Sequence, residues 1–138
     1  MVVDSESLQQ VKNEYYKWIA EQNWNWFTTL KIESGRPSKR RALELCDQWL
    51  EEIAKADGSS RFRWVRVLEK GESGNHFHFH LLVGGFRNRM ATWGRRWEQL
   101  GGEALIEKFN SDEGGIRYLL KTMKQNGELD IDFHLPNR

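Results

Sequence analysis

Histidine, glutamate, tyrosine and lysine are the side chains whose spacing in this chain could do chemistry. The run His76-Phe77-His78-Phe79-His80-Leu81-Leu82-Val83 holds three of the four histidines. In a β-strand successive side chains point to opposite faces, so His76, His78 and His80 share one face and Phe77, Phe79, Leu81 and Val83 the other. Neutral imidazole is the commonest ligand for borderline divalent metals, and two histidines two apart on a strand can grip one ion. The plain alternative is the solvent-facing side of a half-buried strand, and a short His-x-His does not decide between the two. Further on, Tyr118 and Lys121 stand three apart and share a face if their segment is helical. A tyrosine there is either an amphipathic ring at the edge of the core or a nucleophile. With an ordinary phenol pKa near 10, attack at neutral pH requires activation. A nearby Lys121 would favour the phenolate or hold a phosphate, and a histidine-bound metal would polarise that phosphate.

The elements that must position these groups follow from periodicity. Residues 5 to 21 carry apolar groups at helical spacing (Leu8, Val11, Tyr15, Trp18, Ile19). Trp24 to Glu33 is rich in aromatic and β-branched residues and is expected to be the first strand, with Trp24, Trp26, Thr28, Leu30 and Ile32 on one face. Ser38 can cap a helix over 39 to 56 whose stripe is Ala42, Leu45, Cys46, Trp49, Leu50 and Ile53. Arg61 to Glu69 makes a second strand that turns back into the histidine strand as a hairpin. On that reading Phe62, Trp64 and Leu68 join the apolar face, while Arg61, Arg63 and Glu69 join the histidines. A tight hairpin sets Glu69 opposite His76; a longer or bulged loop moves it towards His78 and His80. A helix over 88 to 100, a strand over 104 to 109, a helix over 115 to 125 and an edge strand near 129 to 134 complete the order. The sum is an α+β chain of ferredoxin-like (split βαβ) type: a central antiparallel sheet with helices on one face and the active site on the other.

With 138 residues, 30% of them charged, seven Trp and a net charge of +1, the chain is expected to be one globular domain spanning 1–138, without a global field for nucleic acid. Phosphate contacts would have to come from local cations, with Lys31, Arg61, Arg63 and Arg117 as candidates. The single Cys46 excludes an internal disulfide and cysteine-based zinc fingers. No apolar run approaches the roughly 20 residues of a membrane span, and a signal-peptide pattern is absent. A soluble protein, cytoplasmic or inside a host cell, is expected.

Three motifs in order resemble the HUH endonuclease superfamily, in particular the catalytic domain of plasmid- and phage-type rolling-circle replication initiators (Rep proteins). These are Trp26-Phe-Thr-Thr-Leu30; His78-Phe-His-Leu-Leu-Val83 with Glu69 upstream; and Tyr118-Leu-Leu-Lys121. The segment Trp93-Gly-Arg-Arg-Trp97 and the stretch before Tyr118 are similar too, so the resemblance covers roughly residues 24 to 125. It implies a metal-dependent nickase and strand transferase for single-stranded DNA. Tyr118 would form a 5′-phosphotyrosine and Lys121 would position the phosphate or stabilise the phenolate. His78, His80 and Glu69 would hold Mn²⁺ or Mg²⁺, with His76 in reserve. Families of this kind act at an origin or hairpin nick site and can recruit a host helicase and polymerase. No Gly-x-x-x-x-Gly-Lys-Ser/Thr occurs, so no helicase module is expected on this chain. Some members carry a second tyrosine four residues after the first; that position is Thr122 here, which implies a single-tyrosine enzyme, monomeric or weakly dimeric. The rival readings are a single-tyrosine transposase of the same superfamily, a non-catalytic nucleic-acid-binding module, and a metal-dependent hydrolase using water.

Overall fold

A computed structural model describes residues 5–32, 37–58, 61–70, 77–85, 90–110, 114–121 and 131–135. In chain order the elements are α1 (Ser5–Ala20), β1 (Trp26–Ile32), α2 (Lys39–Asp57), β2 (Arg63–Lys70), β3 (Phe77–Gly84), α3 (Met90–Gln99), β4 (Gly102–Lys108), α4 (Gly115–Lys121) and β5 (Ile131–His134). The strands form one sheet in the order β4-β1-β3-β2-β5, with every neighbouring pair antiparallel. β1 and β2 run parallel with β3 between them, which is the split βαβ arrangement of a ferredoxin-like α+β fold. β5 extends the sheet beyond β2.

Local chemistry sets the boundaries of α2. The Ser38 hydroxyl accepts from the Arg41 N–H at 3.2 Å, and Gly58 ends the helix in the left-handed region at φ 64°. Its stripe Ala42, Leu45, Cys46, Trp49, Leu50 and Ile53 is buried against Leu30, Ile32, Phe77, Phe79, Leu81 and Val83 of the sheet. α3 joins the same layer through Trp97, whose indole N–H donates to the Lys31 carbonyl at 2.9 Å, and the Trp49 indole donates to the Trp93 carbonyl at 2.8 Å.

α2 and α3 are the helices expected on one face. The second face is not bare, however: α1 and α4 pack together across part of it, burying Leu8, Ile19, Ile116, Leu119 and Leu120 on Val65, Val67 and Leu82. Two further differences have local causes. Trp24 precedes β1 and does not share the face of Trp26; it packs in this second cluster and its indole donates to the Ile19 carbonyl at 2.9 Å. Arg66 falls between Trp64 and Leu68 on the core face of β2 and is only 4% exposed. Its guanidinium donates to Asp47 at 2.6 Å and Asp132 at 3.4 Å and lies over the rings of Trp64 and Phe79. Two carboxylates and two aromatic faces thus replace the water that a buried cation loses. Beside it, burial pushes the Cys46 thiol up to about 12.

Candidate active site

The pairing registers order the second face into rungs. One rung runs Glu103, Lys31, His78, Glu69 across β4, β1, β3 and β2. The next runs Leu105, Thr29, His80, Val67, and the third Glu107, Phe27, Leu82, Val65. The third rung includes residues buried by α1 and α4, whereas the first ends in exposed or half-buried polar side chains. The connection between β2 and β3 spans 71–76, longer than a tight turn, so Glu69 sits opposite His78 rather than His76. His76 itself lies outside the described residues.

His80 is the hub. Its side chain is 5% exposed, and Nε2 lies 2.9 Å from Glu69 Oε2. An ionised carboxylate only accepts, so in this pairing Nε2 carries the proton and donates. Nδ1 lies 3.5 Å from the Thr29 hydroxyl, and the ring meets Tyr118 edge-on at 5.6 Å between centroids. One imidazole therefore touches β1, β2 and α4, bringing together segments up to 89 positions apart (from Thr29 to Tyr118).

Among the described residues no three His, Cys, Asp or Glu side chains are grouped to hold an ion. What they offer is a pair of donor atoms at ligand spacing. Two ligands each about 2.1 Å from one ion, at right angles, are about 3.0 Å apart. The His80–Glu69 separation of 2.9 Å matches, so an ion could replace the shared proton, and the Thr29 hydroxyl would orient the ring through its other nitrogen. His78, directly opposite Glu69, is the nearest further candidate in register. Were an ion held there, the imidazole ligand would favour Mn²⁺ over Mg²⁺, being the softer donor.

Tyr118 stands on α4, held down by its buried neighbours Ile116, Leu119 and Leu120. The tyrosine is 52% exposed, and its ring packs edge-to-face on Phe27 at 5.8 Å as well as on His80. It is thus an accessible phenol beside a His–Glu pair. Lys121 does not share this surroundings: it lines a groove between α1 and α4 with Arg117, whose guanidinium lies 4.7 Å over the Tyr16 ring. Lys31 does reach the site, since it is exposed and faces His78 across the β1–β3 pair. Arg63 belongs to the other end of β2, roughly 20 Å along the strand from Glu69 at about 3.3 Å per residue. There it donates to the Asn23 and Arg61 carbonyls and lies over Trp24, and burial together with neighbouring Arg61 lowers its pKa. Arg61 is exposed at the same end.

The residues missed from the sequence lie beside Tyr118. A cleft of about 290 Å³ opens there, lined by Phe27, Leu105, Phe109, Asn110 and Gly115 among others. Comparison of the chain with protein-family models, curated proteins and solved structures finds no significant match. No helix among the described residues is long and apolar enough to cross a membrane.

Proposed function

We propose that this chain is a single-tyrosine, metal-dependent endonuclease and strand transferase of the HUH type, acting on single-stranded DNA to initiate rolling-circle replication. The observation that carries the reading is the His80 hub, which contacts a residue from each of the other two motifs together with Glu69.

In this reading the Tyr118 oxygen attacks the scissile phosphorus. The Tyr118 O–P bond forms, the P–O3′ bond breaks, and the proton lost by the phenol ends on the released 3′-oxygen. The products are a 5′-phosphotyrosine and a 3′-hydroxyl able to prime synthesis; the reverse step rejoins a strand. A divalent cation held by His80 and Glu69, with His78 beside them, would supply charge neutralisation at the phosphate. Phe27 and His80 fix the Tyr118 ring from two sides, which lowers the entropy cost of reaching the attack geometry. Lys31 would hold phosphate on the open rung. Lys121 and Arg117 would contact the strand along the groove between α1 and α4.

The test is incubation of the protein with a labelled, randomised single-stranded DNA library and Mn²⁺, followed by a denaturing gel. A protein–DNA adduct that disappears in Tyr118→Phe is the expected result. Metal-dependent cleavage surviving in Tyr118→Phe would assign the reaction to water, and binding without cleavage or adduct would make the chain a binding module.

A further inference from the structure

The cleft beside Tyr118 has features of its own. Phe27 of β1 and Phe109, just after β4, form its apolar walls, and Gly115 at the start of α4 lies between them. A methyl group at Gly115 would come within 3.2 Å of the Phe109 ring and 3.4 Å of the Phe27 ring, so the missing side chain is what keeps the space between the rings open. The Phe109 wall is anchored by its backbone N–H, which donates to the Asn25 carbonyl at 2.9 Å. Leu105, 58% exposed, sits at the lip, and Asn110 brings amide donor and acceptor groups to the rim.

We infer that this cleft binds a single nucleobase of the DNA strand adjoining the scissile phosphate. Aromatic side chains offer a base a stacking partner, and such stacking tolerates any base. The volume of about 290 Å³ lies at the lower end of pockets for small ligands and is large enough for one base. Because Tyr118 lines the same cleft, a base seated there places its own backbone beside the phenol. The inference rests on the reading of this face as a single-stranded DNA site, though not on Tyr118 acting as nucleophile.

The experiment is NMR titration of the ¹⁵N-labelled protein with deoxynucleoside 5′-monophosphates, with deoxyribose 5-phosphate as the base-free control. Saturable shifts centred on Leu105, Phe109, Asn110 and Gly115 are expected with the nucleotides and not with the sugar phosphate. They should be lost in Gly115→Leu and weakened in Gly115→Ala. The thermal midpoint of each Gly115 variant is measured alongside, and loss of binding counts as loss of the cleft only where the variant melts as a folded protein. Phe109→Ala should weaken binding of single-stranded oligothymidylate roughly 5- to 150-fold without changing its salt dependence, since stacking is lost and no phosphate contact is. Equal response to the sugar phosphate, no saturable response, or unchanged binding in both Gly115 variants would overturn the inference. Tyr118→Phe separates the two readings. A base response retained there without any covalent adduct in wild type leaves the pocket and removes the nickase; an adduct without a base response does the reverse.

Discussion

Replacing His80 by phenylalanine removes both ring nitrogens while keeping a flat ring against Tyr118. The lost hydrogen bond to Glu69 would be worth about 1.5–3 kcal/mol if fully buried. The Glu69 side chain is 36% exposed and can rehydrate, which reduces the cost to roughly 1 kcal/mol. His80→Ala leaves a cavity as well and should cost about 2–4 kcal/mol. Both variants should lose the effect of metal on stability. A ligand at 100 times its Kd stabilises the folded state by about 2.7 kcal/mol. For a chain of this size, at about 3 °C per kcal/mol, Mn²⁺ should raise the melting temperature of the wild type by roughly 8 °C. Differential scanning fluorimetry with and without Mn²⁺ reads both quantities. His80→Phe should melt close to the metal-free wild type and not respond to the ion. A full Mn²⁺ shift in His80→Phe would remove His80 from the ligand set, and the same measurement on His78→Phe and His76→Phe assigns its partner.

Three further outcomes concern the scaffold. Asp47→Ala should cost about 2–4 kcal/mol in urea unfolding because it leaves buried Arg66 with Asp132 alone, whereas Arg66→Met should stay within about 1 kcal/mol of wild type, since both carboxylates are exposed enough to rehydrate. Cys46, with its thiol pushed up to about 12 by burial, stays protonated in the folded protein where the unfolded chain ionises near 9. The unfolded state then binds fewer protons, so stability should fall by about 1.4 kcal/mol per pH unit between about pH 9 and 12, and the Cys46→Ala difference isolates this slope in unfolding curves. Trp97→Phe removes the donor to the Lys31 carbonyl and should lower stability by roughly 2–4 kcal/mol in the same assay.

Much of the architecture was legible because it is local. Alternation in β3 separated His78 and His80 from Phe77, Phe79, Leu81 and Val83, and the 3.6-residue period picked out the buried stripe of α2. What was not legible depends on partners distant in sequence. The Glu69–His78 register follows from the span of the β2–β3 connection, which no local pattern dictates. Burial of Arg66 needed Asp47 from α2 and Asp132 from β5, though its place between Trp64 and Leu68 on one strand face was a usable signal. The packing of α1 and α4 over the second face, and the cleft between Phe27, Phe109 and Gly115, arise only once several separate elements meet.

The proposed reaction joins Tyr118 covalently to DNA. Trypsin cuts after Arg117 and Lys121, so Tyr118-Leu119-Leu120-Lys121 is released as a short peptide. After reaction with the single-stranded library and Mn²⁺, nuclease trimming and tandem mass spectrometry should find a nucleotide 5′-phosphate on the Tyr118 oxygen of that peptide. Cleaved DNA accompanied by only the unmodified peptide, or by an adduct on another side chain, would contradict the account.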